Sequence, residues 1–213
     1  MAITLLILCS YLLGSVSFAY LAGRLKGIDL RQHGSCNLGA TNAGRVLGAK
    51  WFVIVFILDV LKGVLPVLAA QALANEPDFP PDQRSWLLLA TATAAILGHV
   101  FTCFHGFKGG KAVATSLGAL IALMPWVACI TFGVWLLAWL SCWLAGRLGK
   151  AGAVAPASII AAISAPVAYF ILTAAPWATA AMPMTIFLLL LAILVVIRHH
   201  SNLRKLFSTK ASA

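Results

Sequence analysis

The chain has 213 residues, of which 62% are hydrophobic and 9% are charged, and its mean hydropathy is +0.99. These values exclude an ordinary soluble globular protein and predict a chain that lies in a bilayer. The net charge of +10 is dispersed in short segments without interleaved aromatic residues, which argues against nucleic acid and favours anionic lipids and phosphorylated substrates as partners. The five cysteines form an odd, widely spaced set without a CxxC pair, so neither a disulfide framework nor a zinc site is predicted.

Apolar runs in chain order predict the membrane spans. They cover 2–22, 51–74, 86–104, 112–146, 151–174 and 177–197. A span needs about 20 residues, so the run 112–146 is too long for one helix, and Met124 and Pro125 near its middle predict a hairpin. The first run lacks a basic leader, which favours a retained helix over a cleaved signal peptide. The sequence therefore predicts an all-α integral membrane protein, a polytopic bundle of about seven transmembrane helices, with the one near 112–123 short or partial.

The charges predict how the chain is oriented. Thirteen of the fifteen Lys and Arg residues fall in four segments, at 24–50, 108–111, 147–150 and the tail from Arg198. Basic residues are retained on the cytoplasmic side, and a seven-span path with the N-terminus outside and the C-terminus cytoplasmic puts all four there. The loop NEPDFPPDQR, with three of the five acids, falls on the other face. The sequence predicts a single membrane domain over residues 1–213.

The first polar loop, GSCNLGATNAGRVLG at 34–48, has the composition of a polyol phosphate site. Short hydroxyl and amide side chains alternate with glycines and one arginine; they are Ser35, Asn37, Thr41, Asn42 and Arg45. Arginine binds phosphate oxygens as a fork, while short polar groups bond hydroxyls. The alternative is an ordinary interfacial loop in which these residues form turns and the arginine touches lipid headgroups.

The second polar segment, GHVFTCFHGFKGGKAVAT at 98–115, places Lys111 beside Gly109 and Gly110 directly before an apolar helix that is predicted to begin at Ala112. Lysine, open backbone N–H groups and a helix N-terminus together suit an anion. Ala112 follows the lysine where a Walker A loop has Ser or Thr, so ATP hydrolysis is not predicted. The alternative is that Lys108 and Lys111 only enforce topology.

Histidines and one ion pair complete the candidate residues. His199 ends the last span and is a candidate substrate contact, although a histidine at a helix end is also a common anchor or cap. Asp59 and Lys62 are three residues apart and share a helix face, which favours a structural ion pair over a proton relay. Asp29 is the only carboxylate in the predicted cytoplasmic loops, so no metal site is predicted.

Four stretches carry a family resemblance, LLGSVSFAYLAGRLKGIDLRQHGSCNLGATN, LDVLKGVLP, GHVFTCFHGFKGGKAVATSLG and RHHSNLRKL. They resemble the bacterial acyl-phosphate:glycerol-3-phosphate acyltransferase family over most of the chain. The resemblance implies transfer of a fatty acyl group from acyl phosphate to the sn-1 hydroxyl of glycerol 3-phosphate, which gives lysophosphatidic acid and phosphate in phospholipid biosynthesis. It also implies an enzyme of the bacterial inner membrane that uses no cofactor and no dedicated protein base, the substrate's own phosphate helping to take the proton.

The family's motif positions imply a set of substrate contacts in this chain. For glycerol 3-phosphate these are Ser35, Asn37, Thr41, Arg45, Lys111, His199 and Asn202. Gly109 and Gly110 match the acyl-phosphate cradle, and Arg45, Lys111 and His199 are the candidate catalytic residues. The chain departs from the family pattern at Cys36, Lys150, His200 and Ser201.

Two other functions fit some of these features. A transporter for a phosphorylated small molecule would need polar groups along a full path, whereas the predicted spans consist mostly of Ala, Leu, Ile and Val. A noncatalytic scaffold would bind anionic lipids through the basic loops. A monomeric enzyme is compatible with the sequence, because the implied contacts all come from one chain.

Overall fold

The computed structural model of the protein describes residues 1–146 and 148–208, the last four by their backbone. Arg147 and Lys210, which the charge count includes, lie outside the described residues. The chain divides into two compact units, the first ending at Pro125 and the second beginning at Trp126. Each unit is described by itself.

The first unit is entirely helical in its regular structure. Its helices are α1 (Ala2–Ser15), α2 (Phe18–Leu25), α3 (Ala40–Leu47), α4 (Ala49–Ala74), α5 (Arg84–Val100) and α6 (Val113–Leu123). Two short 3-10 turns, Pro81–Gln83 and Cys103–His105, precede and follow α5. The helix predicted to begin at Ala112 begins one residue later, with Ala112 as its N-cap.

The first apolar run is broken, although the sequence predicted one continuous helix over 2–22. Helix α1 ends at Ser15, Val16 has extended backbone angles, and α2 begins at Phe18 with a bend of 40° between the two helices. Ser17 caps α2, because its hydroxyl accepts a hydrogen bond from the Tyr20 N–H at 3.2 Å. The pattern of hydrophobic residues continues through the break, so composition alone could not locate it.

Glycines allow the long helices of the first unit to pack at close range. A Cβ at Gly14 of α1 would collide with the Ala95 backbone of α5, and one at Gly98 of α5 would collide with the Tyr11 carbonyl of α1. Gly63 of α4 and Gly118 of α6 form a similar pair, since a Cβ at Gly118 would meet the Val60 carbonyl. Helices in a membrane associate through such small-residue contacts, because lipid provides no hydrophobic drive between them.

The second unit contains α7 (Pro125–Leu144), α8 (Lys150–Leu172), α9 (Met182–Arg198) and α10 (His200–Ser208). Helices α7 and α8 are joined by indole hydrogen bonds from Trp135 to the Ser158 hydroxyl, at 3.2 Å, and from Trp139 to the Lys150 carbonyl, at 3.0 Å. The Lys150 ammonium also lies 4.7 Å from the centre of the Trp143 ring. The departure from the family pattern at Lys150 therefore has a structural partner in this chain.

The described residues contain four helices that are long and apolar enough to cross a membrane, or five when the bent pair α1 and α2 counts as one span. The apolar helices α6 and α9 are shorter. The all-α class is confirmed, and so is the break predicted within 112–146, because α6 ends at Leu123 and α7 begins at Pro125. That these two helices form a hairpin stays a prediction. The count of seven spans and the orientation stay predictions.

Replacing Gly118 by Ala tests the close approach of α6 to α4. The new Cβ meets backbone that cannot rotate away, so we expect a loss of about 1–3 kcal/mol in the free energy of unfolding. Thermal unfolding in detergent micelles measures it. Gly133→Ala is the matched control, since nothing lies within 4 Å of its Cβ and the helix should gain about 0.5–1 kcal/mol. Equal melting temperatures for the two variants would contradict this packing.

Candidate active site

The first polar loop is organised by Asn42, which is 1% exposed. Its side-chain oxygen accepts a hydrogen bond from the Ser35 N–H at 2.7 Å, and its amide nitrogen donates to the carbonyls of Leu30 and His33 at 3.2 and 3.1 Å. The sequence grouped Asn42 with residues suited to bind a polyol. The structure shows instead that its side chain is used within the protein, where it fixes the loop that carries Ser35.

The backbone of this loop requires glycine at position 34 and favours glycine at position 36. A Cβ at Gly34 would collide with the Asn42 side-chain oxygen, so only glycine allows Asn42 to reach Ser35. Cys36 has a positive φ of 57°, in the left-handed region that favours glycine. The glycine that the family pattern has at this position is therefore explained by backbone conformation, and Cys36 is strained.

The predicted contacts of the first loop lie at its end and along α3. Ser35 is exposed and Asn37 is partly exposed, ahead of the helix. Thr41 and Arg45 are four residues apart on α3, so they share one face of the helix. Arg45 is exposed, and among the described residues no carboxylate forms a salt bridge with it.

The arginine that precedes this loop, Arg31, is neutralised by Asp29. Arg31 donates from Nε to Asp29 Oδ1 at 2.9 Å and from Nη2 to Asp29 Oδ2 at 2.6 Å. These hydrogen bonds, with a further one from the Arg31 backbone N–H, lower the pKa of Asp29 to about 2. The same pairing raises the pKa of Arg31. Asp29 and Arg31 are therefore both charged near neutral pH. Arg31 has a carboxylate counter-ion, whereas Arg45 has none among the residues that the structure describes.

The second polar loop is tied to the end of α5 by its glycines. The Gly109 N–H donates to the Val100 carbonyl and the Gly110 N–H donates to the His99 carbonyl, both at 3.0 Å. A Cβ at Gly110 would collide with the His99 ring, and one at Gly109 would collide with the His99 carbonyl. Both glycines are buried, and the partly exposed Lys111 follows them directly.

These hydrogen bonds correct the physical argument made from the sequence. We expected open N–H groups at Gly109 and Gly110 to face an anion, but both already donate to backbone carbonyls. The glycines are required because the backbone approaches His99 closely. A glycine needed for close packing looks the same in the sequence as a glycine that exposes its N–H to an anion. Their role as substrate-binding residues stays a prediction, and Lys111 with the N-terminus of α6 is the element that remains suited to an anion.

Residues of both polar loops line one small, nearly filled space in the first unit, whose empty volume is about 160 Å³ with its open mouth included. The first loop contributes Leu38, the second contributes His99, Thr102, Gly109 and Gly110, and the remaining lining residues are Gly14, Ser15, Val16, Ser17 and Lys62. The predicted contacts Ser35, Asn37, Thr41, Arg45 and Lys111 are not among its lining residues. The fold therefore brings together, in one unit, the two segments that the sequence singled out.

A chain of ring contacts joins the same two loops. The Arg31 guanidinium lies 5.0 Å from the centre of the Tyr20 ring, and that ring lies 4.4 Å from the His105 ring. Tyr20 belongs to α2, so this helix supports both loops from one side. Sequence analysis did not single out Tyr20, because an isolated aromatic residue in an apolar run looks like an ordinary lipid-facing or core residue.

His199 and Asn202 lie in the second unit, where α9 meets α10. His199 is 3% exposed, and its Nδ1 lies 2.7 Å from the Val195 carbonyl oxygen. The Asn202 N–H donates to the His199 carbonyl at 2.9 Å. His200 and Ser201, where the chain departs from the family pattern, are both exposed. His199 is therefore placed as a histidine that caps a helix end would be. Its contact with substrate stays a prediction.

Among the residues that the structure describes, no group of three or more His, Cys, Asp or Glu side chains is placed to hold a metal ion. The five cysteines are free thiols.

Comparison with known proteins gives the family. The family described as glycerol-3-phosphate acyltransferase matches residues 4–209, which is nearly the whole chain. The chain belongs to this family. It is 41% identical over 205 residues to the glycerol-3-phosphate acyltransferase of Aquifex aeolicus, a match that covers 95% of this chain and 94% of the relative. It is 42% identical over 207 residues to that of Synechococcus elongatus, covering 97% and 91%.

Solved structures agree with this assignment. The chain is similar to the crystal structure of PlsY, an integral membrane glycerol 3-phosphate acyltransferase, in its glycerol 3-phosphate form. The TM-score is 0.80 at 38% identity, with 98% of this chain and 94% of PlsY covered. The lysophosphatidic acid form of PlsY gives a TM-score of 0.78 at 37% identity, covering 98% and 93%. The present chain is an all-α integral membrane member of the same acyltransferase family.

Cys36→Gly tests the strain at the family's glycine position. Glycine removes a left-handed cost of about 1–2 kcal/mol but makes the unfolded chain more flexible, so we expect a net stabilisation of about 0.5–1 kcal/mol. Thermal unfolding in detergent measures it. Cys36→Ala removes the thiol and keeps the Cβ, and it should leave the melting temperature near that of the parent. A melting temperature raised equally by both changes would implicate the thiol instead of the backbone.

Proposed function

We propose that this acyltransferase takes its acyl group from acyl phosphate and transfers it to the sn-1 hydroxyl of glycerol 3-phosphate. The hydroxyl oxygen attacks the acyl carbonyl carbon, the bond between that carbon and the phosphate oxygen breaks, and the hydroxyl proton leaves with the released phosphate. The products are lysophosphatidic acid and inorganic phosphate, and no cofactor takes part. Acyl phosphate is already activated, so placing the two substrates and balancing their charge supply much of the catalysis.

The observation that carries the proposal is the family match over residues 4–209, together with the similarity to the glycerol 3-phosphate form of PlsY. Arg45 has no carboxylate partner among the described residues, so its guanidinium can bind the phosphate of glycerol 3-phosphate as a fork. Lys111 stands immediately ahead of α6, where its ammonium and the helix N-terminus favour the same anion. Ser35, Asn37 and Thr41 then bond the glycerol hydroxyls and phosphate. Both substrates are polyanions, which suits a cationic site.

The proposal extends to His199 and Asn202 on the strength of their motif positions. His199 is counted with Arg45 and Lys111 as a catalytic residue, and Gly109 and Gly110 are proposed to shape the acyl-phosphate site through their close packing. Because the family match runs from residue 4 to 209, we propose that the whole chain, 1–213, acts as one catalytic domain and that a monomer suffices.

The transporter remains the second candidate, but no observation favours it. Transport needs polar groups along a path through the membrane, whereas the buried charges inside the spans form an ion pair with each other. A lipid-binding scaffold would not require residues of the two loops to line one space. Neither alternative accounts for the family membership.

We also propose a topology of seven spans with the N-terminus outside and the polar loops on the cytoplasmic side of the bacterial inner membrane. The bent pair, α4, α5, α7 and α8 supply five spans. Helix α9, with 17 residues, reaches the lower limit of a span, and α6, with 11, crosses in part. The acidic loop at 75–83 then faces outside, as the distribution of basic residues requires.

The central experiment supplies the purified protein with labelled glycerol 3-phosphate and a long-chain acyl phosphate, and measures lysophosphatidic acid and released phosphate. We expect Lys111→Ala to lower kcat/KM by on the order of 10- to 100-fold, because a charge-assisted contact contributes about 1.5–3 kcal/mol. Lys108→Ala is the matched control, a neighbouring exposed lysine outside the proposed contacts, and should change kcat/KM less than about twofold.

Four results would contradict the proposal. Absence of product from acyl phosphate in both micelles and liposomes would reject the reaction. Product formed from acyl-coenzyme A but not from acyl phosphate would show that acyl phosphate is not the acyl donor. Equal losses in the Lys111 and Lys108 variants would show that net charge, not a specific contact, matters. Uptake of labelled glycerol 3-phosphate into sealed vesicles without acyl transfer would favour the transporter.

Labelling of Cys36 tests the orientation. This thiol is exposed in the first loop, and in a variant whose other four cysteines are alanine it should react with a membrane-impermeant maleimide only in inverted vesicles. The control is Asp78→Cys in a cysteine-free chain, which should react only from the other side. Reversed accessibility of the two positions would contradict the positive-inside assignment.

A further inference from the structure

Three ionisable side chains are buried inside the first unit and take no part in the proposed reaction. Asp59 and Lys62 on α4 are each 2% exposed, and His99 at the end of α5 is 6% exposed. Ionisable groups inside membrane segments are costly, and where they occur they serve a specific purpose. Replacing a buried ion pair by apolar residues is often neutral or stabilising, so stability alone is a weak reason to have one.

The ion pair is attached to the break in the first span. The Lys62 ammonium lies 2.8 Å from Asp59 Oδ1 and also donates to the Val16 carbonyl at 2.8 Å, where α1 has ended. Thr102, at the start of the second loop, donates from its hydroxyl to the Ser15 carbonyl at 2.6 Å. The carbonyls freed by the break are therefore bonded from α4 and from the loop that leads to Lys111.

His99 connects the ion pair to the glycines. Its Nδ1 lies 3.7 Å from Asp59 Oδ1, an electrostatic contact longer than a hydrogen bond. The other edge of the ring packs against Gly110, and the carbonyl of His99 accepts the Gly110 N–H. Lys111 is the next residue, so the backbone directly before it is packed against a ring whose Nδ1 faces Asp59.

We propose that His99 is a positioning residue that sets the place of the Lys111 ammonium, with the Asp59–Lys62 pair fixing His99 and the helix break on which the loop rests. This inference rests on the proposed function, in which Lys111 binds substrate phosphate. A displacement of about 1 Å at a reacting group costs on the order of 100-fold in rate. A dry site amplifies that cost, because water does not screen a misplaced charge.

The test is a double-mutant cycle between His99 and Lys111. His99→Asn keeps a polar group but shortens it, and alone it should lower kcat/KM roughly 10- to 100-fold. Combined with Lys111→Ala it should lower kcat/KM no further than Lys111→Ala does, because the group being positioned is gone. Assays use the purified full chain in liposomes with a long-chain acyl phosphate and labelled glycerol 3-phosphate. His99→Gln, with a longer amide, enters the same cycle if His99→Asn does not fold.

A structural control separates positioning from loss of stability. Thr91→Ala lies on the same helix, is fully buried and is away from the loop, so its effects on kcat/KM and those of Lys111→Ala should multiply. Multiplicative losses for His99→Asn and His99→Gln as well would overturn the inference while leaving the proposed function intact. An unchanged kcat/KM in Lys111→Ala would also overturn it. Wild-type protein that forms no product would reject the proposed function, and with it the inference.

Discussion

The ion pair between Asp59 and Lys62 is the interaction on which the rest of the first unit depends. Two charges and a broken helix are each unfavourable in an apolar interior, because a charge loses its hydration and a broken helix leaves carbonyls without donors. The structure combines them. The Lys62 ammonium bonds both the Asp59 carboxylate and the Val16 carbonyl, so one group satisfies an ion and a helix end. Removing any of the three partners leaves the others unsatisfied.

The break in the first span positions parts of the two polar loops. It bends the first span by 40° and lets α2 carry Tyr20 against His105 of the second loop. Close packing at Gly14 and Gly98 keeps α1 against α5, whose last residues bond Gly109 and Gly110. The position of Lys111 therefore follows from helix packing deep in the unit, although the residue itself lies in a loop. If this loop binds substrate as proposed, such support would pre-organise it before the substrate arrives.

Sequence patterns predicted the features that depend on local chemistry. Apolar runs predicted the helices, Met124 and Pro125 predicted the break between α6 and α7, and the three-residue spacing predicted the pair of Asp59 and Lys62. The break at Val16 was missed because its stabilising donors are 46 and 87 residues away along the chain. Glycines beside a lysine suit both an anion site and close backbone packing, so only the hydrogen bonds could show which use the N–H groups have. Asn42 was misjudged for a similar reason, since an amide can bind substrate or brace a loop.

The placement of the five acidic residues leaves the two polar loops with a net positive charge. Asp29 neutralises Arg31, and Asp59 neutralises Lys62, each through contacts of 2.6–2.8 Å. The other three acids lie in the segment 75–83, far along the chain from both polar loops. The polar loops that carry Arg45 and Lys111 therefore have more positive than negative charge, and such an excess raises the local concentration of anions and speeds their arrival. Under the proposed function, glycerol 3-phosphate reaches these loops from water, whereas an acyl phosphate reaches them along the membrane. The cations of the loops would attract the phosphate of both substrates, and the apolar helices beside them would suit the acyl chain of only one.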